Sequence, residues 1–290
     1  MSVILVTGSS TGIGQETALH MARKGHDVYA AVRSPGTAAE LKEKIAAEKL
    51  PVTVIKLDLV DPGSITAAVQ EITADTGRID ALVNNAGIGG GRAVEETPID
   101  EVRAIFETNY FGNVNVLRAV TPIMRKQRSG RIVTVGSLAG RIVMGCHAHY
   151  SASKWAMEGL SEALAQEMAE FNVKVAIIEP GCVLTPIWGK GSLPTTPSPY
   201  QKSLQRLGRF FEFGLRRPAM PTDVASAIAH AIESDQPHFR YPVGPDAQET
   251  IAARARVSDD EWLAANCLQG DAFYDRWQAL VGVDYYRDPD

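Results

Sequence analysis

The segment with the strongest structural signal lies near the N-terminus and reads Val3-Ile4-Leu5-Val6-Thr7-Gly8-Ser9-Ser10-Thr11-Gly12-Ile13-Gly14. Its first four residues are apolar and β-branched or aliphatic, which predicts a short buried strand. Apolar residues at helical spacing follow the glycines, and Gly25 is placed to end that helix. Glycines let the backbone approach a pyrophosphate, and a helix N-terminus presents free N–H groups. The segment therefore predicts a phosphate-binding turn, with G-x-x-x-G-x-G spacing instead of the more common G-x-G-x-x-G.

The remainder of the chain alternates apolar β-rich runs with amphipathic segments. The predicted strands are Val3–Val6, Asp27–Val32, Val52–Leu57, Ala81–Asn84, Arg131–Gly136, Lys174–Glu179 and Phe239–Tyr241. The predicted helices are Ile13–Lys24, Thr37–Glu48, Ser64–Thr76, Pro98–Arg128, Tyr150–Phe171 and Pro221–Ser234. This alternation predicts a Rossmann-type α/β fold, a doubly wound parallel sheet of about seven strands with helices on both faces. No internal repeat or linker is visible, so residues 1–290 are expected to form a single domain.

Tyr150 and Lys154 lie four residues apart in a predicted helix, which places them on one face, one turn apart. A free phenol ionises near pH 10, and a neighbouring ammonium is expected to lower that pKa. The pair could then exchange a proton with an alcohol or carbonyl oxygen near neutral pH. Taken alone, the spacing also fits a tyrosine that packs on the lysine stem.

These features, together with further motifs in a fixed order, resemble the short-chain dehydrogenase/reductase family from Val3 to about Thr185, and more loosely to about Ala247. The further motifs are Asp58-Leu59, Asn84-Asn85-Ala86-Gly87, Asn109, Ser137 and Pro180-Gly181-Cys182-Val183-Leu184-Thr185. The resemblance is to the single-domain, NADP-preferring branch, including members similar to 17-beta-hydroxysteroid and retinol dehydrogenases. It implies one NAD(P)-binding domain and hydride transfer between nicotinamide and a carbonyl or secondary alcohol carbon.

The resemblance assigns catalytic roles to Ser137, Tyr150, Lys154 and Asn109. Tyr150 exchanges the proton with the substrate oxygen, and Ser137 hydrogen-bonds the same oxygen. Lys154 lowers the pKa of Tyr150 and holds the nicotinamide ribose, and Asn109 positions a water that relays the proton. As isolated residues, Ser137 could instead be a helix cap and Asn109 a residue at a helix bend.

The resemblance also implies cofactor contacts from Gly8, Ser10, Gly12, Ile13, Gly14, Arg33, Asp58, Leu59, Asn85, Ala86, Gly87, Tyr150, Lys154, Pro180, Gly181, Val183 and Thr185. NAD sites place a carboxylate at the end of the second strand, where this chain has Val32 followed by Arg33. A guanidinium suits the 2′-phosphate of NADP, so NADP(H) is predicted, with NAD(H) possible. The alternative is a solvated surface arginine.

Residues 186–219 combine prolines with several aromatic side chains after the sixth strand. Since ligands of open α/β sheets bind outside the carboxyl ends of the strands, this segment is predicted to be a substrate lid. An ordinary surface excursion is the alternative. An apolar lid favours a bulky, uncharged ketone or secondary alcohol. Four arginines argue the other way, since any of them facing inward would favour a carboxylate or a thioester carrier: Arg206, Arg209, Arg216 and Arg217.

Residues 248–290 are predicted to form a helical extension. Ser258-Asp259-Asp260-Glu261 has the capping-box pattern of a helix start. An apolar face could then comprise Trp262, Phe273, Tyr274, Trp277 and Leu280. That face is expected to pack on the core of the chain itself, with a subunit contact or a pocket cover as the alternative.

Composition narrows the possible partners. The net charge of -5 gives no basic stripe for nucleic acid, and no apolar run is long enough for a membrane span. Three scattered cysteines fit a reducing cytoplasm and no metal site. We expect a cytoplasmic homodimer or homotetramer, without a signal peptide, that acts on a small molecule. Two other functions stay open: an NADP-binding sensor without turnover, and an epimerase or dehydratase on the same fold.

Overall fold

The computed structural model describes residues 1–189, 197–284 and 286. Its strands are β1 (Val3–Thr7), β2 (Asp27–Val32), β3 (Val52–Lys56), β4 (Ala81–Asn84), β5 (Gly130–Val135), β6 (Val173–Pro180) and β7 (Arg240–Val243). They form one seven-stranded sheet in the order β3-β2-β1-β4-β5-β6-β7. All six pairings are parallel. The predicted doubly wound parallel sheet is confirmed.

The helices are α1 (Gly12–Arg23), α2 (Ala39–Glu48), α3 (Pro62–Thr76), α4 (Ile99–Phe106), α5 (Asn113–Gln127), α6 (Ala148–Ala169), α7 (Gln201–Gly214), α8 (Pro221–Glu233), α9 (Pro245–Arg254), α10 (Asp259–Cys267) and α11 (Gly270–Val281). Successive side chains of a strand point to opposite faces, so one strand feeds two cores. Ile4 and Val6 pack with residues of α1, α2 and α8. Val3 and Leu5 pack with residues of α3, α5 and α6. Helices therefore cover both faces of the sheet.

The long helix predicted over Pro98–Arg128 is interrupted. A π-helical segment, Glu107–Gly112, joins α4 to α5 and contains Asn109. The prediction missed it because periodicity cannot distinguish one wide turn from regular helix. The second helix also starts later than predicted, at Ala39, after a 3₁₀ turn over Pro35–Thr37.

The segment predicted as a lid contains a regular helix, α7, which the surrounding prolines concealed in the sequence. Residues 190–196 of that segment lie outside the described residues, as do Tyr285 and residues 287–290 of the predicted extension. Phe210 of α7 packs with Phe273 and Trp277 of α11 in a third core. This core also contains Leu138 and Ile142, so the C-terminal helices support the region that follows Ser137.

None of the helices in the described part of the chain combines the length and the apolar character that crossing a bilayer requires.

Candidate active site

The residues predicted to transfer the proton lie at the carboxyl edge of β5. Ser137 lies two residues after the end of this strand, and its hydroxyl hydrogen-bonds the phenol of Tyr150. Lys154 Nζ lies 5.8 Å from the centroid of the Tyr150 ring and donates a 3.0 Å hydrogen bond to the Val135 carbonyl. Tyr150 and Lys154 are one turn apart in the first part of α6. The fold thus brings a hydroxyl, a phenol and an ammonium to one place.

Ser137 also has the local role that the sequence left open. Its Oγ accepts a 3.1 Å hydrogen bond from the Ala139 N–H and so caps the 3₁₀ turn Leu138–Gly140. A hydroxyl can accept one bond and donate another, so capping and contact with Tyr150 are compatible. The cap fixes the side chain beside Tyr150.

The direction of one predicted pKa shift is wrong. Burial raises the pKa of Tyr150 above that of a free phenol, and the hydrogen bond from Ser137 lowers it only in part. Burial also lowers the pKa of Lys154 to about 8, against a raising effect of the Glu158 charge. A charged lysine lowers the pKa of a phenol that is exposed to water, whereas both groups are desolvated here. In the protein chain alone, Tyr150 is therefore held as a neutral phenol.

Asn109 lies in the π segment and is almost completely buried. Its Oδ1 accepts from the Ile88 N–H at 2.8 Å, and its Nδ2 donates to the Ile88 carbonyl at 2.9 Å and to Ser153 Oγ at 3.1 Å. The widened turn is what lets this side chain face the loop after β4. Asn109 is thus both a helix-bend residue and a link between that loop and α6.

The glycine-rich turn after β1 depends on the absence of side chains. Gly8 and Gly12 have φ values of +69° and +63°. A Cβ on Gly14 would lie 2.4 Å from the Gly8 carbonyl oxygen and 2.5 Å from Asn85 Nδ2. Because these neighbours include backbone, the turn cannot relax around an added methyl group. The turn is closed by packing against the loop after β4.

Three side chains of the predicted cofactor set are engaged within the protein. Asn85 Nδ2 donates to the Thr7 carbonyl at 2.9 Å, so its amide holds the glycine-rich turn. The Asn85 and Ala86 N–H groups donate to Thr7 Oγ1 at 3.0 and 3.1 Å. Leu59 is buried, and a Cβ on Gly112 would lie 2.7 Å from its Cβ. Asp58 is partly exposed and accepts from the Val60 N–H.

A nicotinamide dinucleotide fits this edge of the sheet. Thr11, the N-cap of α1, makes no side-chain capping hydrogen bond, and the first turn of α1 carries no acidic residue. The first N–H groups of α1, beginning at Gly12, therefore remain available to a pyrophosphate. Arg33 is exposed just after β2, while Val32 is buried. Ser10 and Ile13 flank the same turn.

The loop after β6 closes the other side of this cleft. A Cβ on Gly12 would lie 3.3 Å from the Thr185 side chain, so this loop and the glycine-rich turn approach closely. Pro180 and Val183 are buried. The fold thus brings predicted contact residues from four places to one edge of the sheet. These places are the glycine-rich turn, the loop after β4, the loop after β6 and α6.

Asp246 at the start of α9 is a site residue that the sequence analysis did not single out. It is buried, and its Oδ2 accepts from the Cys182 N–H at 2.6 Å. Gly181 packs so tightly on it that a Cβ there would lie 2.0 Å from Asp246 Oδ1. Asp246 therefore fixes the loop after β6. Its only signal in the sequence was its place just after a glycine and a proline, in the first turn of a possible helix.

An aromatic chain connects Tyr150 with the segment predicted as a lid. His147 stacks on Tyr150, Phe211 of α7 contacts His147 edge-on at 5.5 Å, and Trp188 contacts Phe211 at 5.1 Å. Trp188 Nε1 also donates to the Val183 carbonyl at 2.7 Å. Phe211 lies far from His147 in the chain, so this contact leaves no signal in the sequence.

The four arginines that argued against an apolar pocket bind other groups. Arg206 donates to the Asn266 and Leu268 carbonyls, and Arg209 donates to the Tyr286 carbonyl. Arg216 pairs with Glu212, and Arg217 pairs with Glu249.

Within the described residues, no group of three or more His, Cys, Asp or Glu side chains is arranged to hold a metal ion.

Comparison with known proteins gives the family. The short chain dehydrogenase family profile matches residues 2–193. The chain is 35% identical over 270 residues to a 3-ketodihydrosphingosine reductase of Bacteroides thetaiotaomicron, covering 92% of this chain and 95% of that protein. It is 34% identical over 270 residues to retinol dehydrogenase 8 of Bos taurus, covering 87% of this chain and 84% of that protein. The crystal structure of a short-chain dehydrogenase from Streptomyces avermitilis superposes with a TM-score of 0.80 at 33% identity, covering 91% and 97%.

The chain therefore belongs to the short-chain dehydrogenase family, as its motifs indicated. It is a nicotinamide-dependent oxidoreductase, a dehydrogenase or reductase.

Proposed function

We propose that this protein reduces a ketone, or oxidises the matching secondary alcohol, with Tyr150 as the proton donor or acceptor. One observation carries the proposal: Ser137, Tyr150 and Lys154 lie close together at the carboxyl edge of the sheet. The N-terminus of α1, which has no side-chain cap, lies at the same edge. Bound at that edge, the nicotinamide cofactor would supply or accept the hydride. The other chemistry belongs to the side chains of the protein.

Each of the three side chains has a distinct task in reduction. Burial keeps Tyr150 protonated, so the phenol can give its proton to the carbonyl oxygen as negative charge develops there. With substrate bound, the Ser137 hydroxyl would turn its single hydrogen from Tyr150 to the same oxygen and stabilise that charge. Lys154 places a positive charge beside the phenol, which favours the phenolate left after transfer. We also propose that Asn109 orders the proton path, since its amide joins the loop after β4 to α6.

We propose NADP(H) as the preferred cofactor. Support comes from the end of β2, where the buried Val32 offers no carboxylate to a ribose and the exposed Arg33 offers a guanidinium. A guanidinium binds phosphate through paired, charge-assisted hydrogen bonds. With the phenol held neutral, NADPH-driven reduction is the direction that the side chains favour.

For the substrate we propose a bulky, uncharged and largely hydrophobic ketone or alcohol. Trp188 and Phe211 approach Tyr150 through His147, and the four arginines in and after α7 bind carbonyls or carboxylates elsewhere. Two relatives are named for 3-ketodihydrosphingosine and for retinol, which are both mostly hydrocarbon. We therefore propose that residues 186–219 form a lid over an apolar pocket.

We further propose a homodimer or homotetramer built through the central helices. Phe111 in the π segment is 50% exposed and Trp155 on α6 is 48% exposed. Burial of large exposed aromatic side chains on neighbouring helices favours association.

The proposed reaction is tested by following NADPH oxidation over a panel of hydrophobic ketones. The wild type should show turnover, and Tyr150→Phe should bind NADPH normally but lose roughly 10²-fold or more in kcat. Tyr241→Phe is the matched control and should keep normal turnover. The Tyr241 hydroxyl on β7 hydrogen-bonds His230 and the His238 N–H and not the residues of the proposed active site. NADPH binding without turnover in the wild type would instead indicate a sensor. Near-normal activity of Tyr150→Phe would remove the tyrosine from the mechanism.

A further inference from the structure

A buried ionic cluster lies directly behind the proposed active site. Glu158 of α6 and Glu179 of β6 are both buried, and Arg240 of β7 pairs with both of them. The distances from Arg240 Nε are 3.0 Å to Glu158 Oε2 and 3.4 Å to Glu179 Oε1. Arg141, which follows the Ser137-capped turn, donates to Glu179 Oε1 at 2.8 Å. The two carboxylates are thus held between two guanidinium groups.

Three of the four elements that contribute to this cluster, α6, β6 and the Ser137 turn, also carry part of the active site. Glu158 lies one helical turn beyond Lys154 on α6. Gly140 of the Ser137 turn packs so closely that a Cβ there would lie 3.2 Å from Glu158 Cγ. Glu179 immediately precedes Pro180 and the loop held by Asp246. The cluster therefore joins the catalytic helix to the strands and turns around it.

The charges in this cluster shift the pKa values of Glu158 and Lys154. Burial and the Glu179 charge raise the pKa of Glu158 to about 7, while Arg240 and Arg141 lower it. The Glu158 charge in turn raises the pKa of Lys154, which burial lowers to about 8. The charged groups facing Glu158 are Lys154 and Glu162 of α6, Glu179 of β6, Arg240 of β7 and Arg141. Glu158 is therefore the carboxylate through which the cluster acts on Lys154.

We propose that Glu158 is a positioning residue whose carboxylate supplies the buried counter-charge that keeps Lys154 an ammonium ion, while Arg240, paired with it at 3.0 Å, favours the charged form of Glu158. Without this charge, the desolvated lysine would give up its proton close to neutral pH. The inference rests on the proposed function, in which the Lys154 ammonium supports Tyr150 and the cofactor. The field of Glu158 reaches Lys154 along one turn of α6, so the effect needs no direct hydrogen bond between them.

The test is the pH dependence of NADPH binding and of kcat/KM in Glu158→Gln. Gln keeps the size of the side chain and can still accept from Arg240, but it carries no charge. Loss of the charge should move the alkaline limb of both profiles to lower pH by about one pH unit. Glu158→Asp, which keeps the charge, should restore the limb towards its wild-type position.

Glu162→Gln is the matched control. Glu162 is on the same helix and accepts from the same Arg240 at 2.9 Å, but its side chain is 57% exposed. Water screens an exposed charge, so this variant should leave the alkaline limb in place. Should Glu158→Gln fail to fold, Arg240→Gln gives a second route. Loss of the guanidinium should let Glu158 take up a proton, which moves the limb in the same direction.

An unchanged alkaline limb in folded Glu158→Gln or Arg240→Gln overturns the proposal, even if the thermal midpoint falls, because the cluster would then be structural only. NADPH binding is measured by fluorescence and needs no turnover. If the wild type binds NADPH but reduces no ketone, the proposed function fails. A shifted binding limb in Glu158→Gln would still support the role of Glu158 in that case.

Discussion

The imidazole ring of His147 stacks on the phenol ring of Tyr150, with ring centroids 4.7 Å apart and planes inclined by 26°. His147 is buried, and its Nδ1 has no hydrogen-bond partner among the described residues. Burial lowers the pKa of His147 to about 4, so the ring is neutral at physiological pH. A neutral ring covers Tyr150 without adding a second positive charge beside Lys154.

The buried His147 should make the stability of the fold pH-dependent. Its pKa is lower in the folded protein than in the unfolded chain, so its contribution is complete above about pH 6.5 and is lost as the pH falls towards 4. Between pH 7.5 and 5 the loss from this one group should be about 2 kcal/mol in the free energy of unfolding. In His147→Phe the same pH change should cost correspondingly less. Urea unfolding measures the free energy of unfolding at both pH values, with the exposed His238→Gln as the control. Equal losses in the wild type, His147→Phe and His238→Gln would contradict the prediction.

Lys154→Ala should impair both turnover and cofactor affinity. In the proposed mechanism the ammonium supports the phenolate after proton transfer and holds the nicotinamide ribose, so kcat should fall about 10²-fold and the NADPH dissociation constant should rise. Steady-state kinetics and fluorescence titration separate the two effects. Lys126→Ala, on the exposed end of α5, should change neither value. A loss of kcat with unchanged NADPH affinity would argue against contact with the ribose.

Arg33 should decide the cofactor preference. A charge-assisted hydrogen bond contributes about 1.5–3 kcal/mol, so Arg33→Ala should weaken NADPH binding roughly ten- to a hundredfold and leave NADH binding nearly unchanged. Val32→Asp together with Arg33→Ala should shift the preference towards NADH. The dissociation constants of both cofactors are measured in parallel for wild type and variants. Equal NADPH affinity before and after would show that Arg33 does not contact the 2′-phosphate.

Gly14→Ala should damage the cofactor cleft itself. The added Cβ would meet the Gly8 carbonyl oxygen at 2.4 Å, so the turn must shift. Overpacking of this kind costs about 1–3 kcal/mol of stability, and NADPH affinity should fall with it. Gly159→Ala in α6 is the control, since nothing lies within 4 Å of a Cβ at that exposed position. That change should leave NADPH affinity unchanged and slightly raise the thermal midpoint.

The proposed apolar pocket predicts a preference among substrates. An apolar surface rewards an apolar ligand by about 25 cal/mol per Å² removed from water, while an unpaired carboxylate would lose its hydration there. Values of kcat/KM are compared for ketone pairs that differ only in one carboxylate, and the uncharged member should be preferred. Preference for the charged member in each pair would mean that an arginine such as Arg206 reaches the substrate after all.

The aromatic chain gives the lid its own test. Phe211→Ala removes the ring that joins His147 to Trp188. Such aromatic contacts contribute about 0.5–1.5 kcal/mol each beyond their buried area, so kcat/KM for hydrophobic ketones should fall about tenfold. NADPH affinity should stay the same, because Phe211 reaches the site from the substrate side. A loss confined to NADPH binding would place α7 over the cofactor instead.

The sequence by itself determined the sheet and the positions of the main motifs. Strands buried on both faces are apolar almost throughout, as β1 and β4 are up to their last residues, Thr7 and Asn84, so their number and order along the chain can be predicted. The glycine-rich turn and the Tyr150–Lys154 spacing are local, because each depends on residues a few positions apart. Local geometry of this kind follows directly from residue type.

Only the tertiary structure decided what surrounds those motifs. The pKa of Tyr150 is raised, not lowered, because burial outweighs the hydrogen bond from Ser137, and burial depends on the whole fold. Asp246 reaches the loop after β6 across 64 residues, and the Glu158 cluster joins four separate segments of the chain. Such contacts leave no periodic pattern in the sequence. They arise because a parallel sheet and its covering helices bring segments that are distant in the chain side by side.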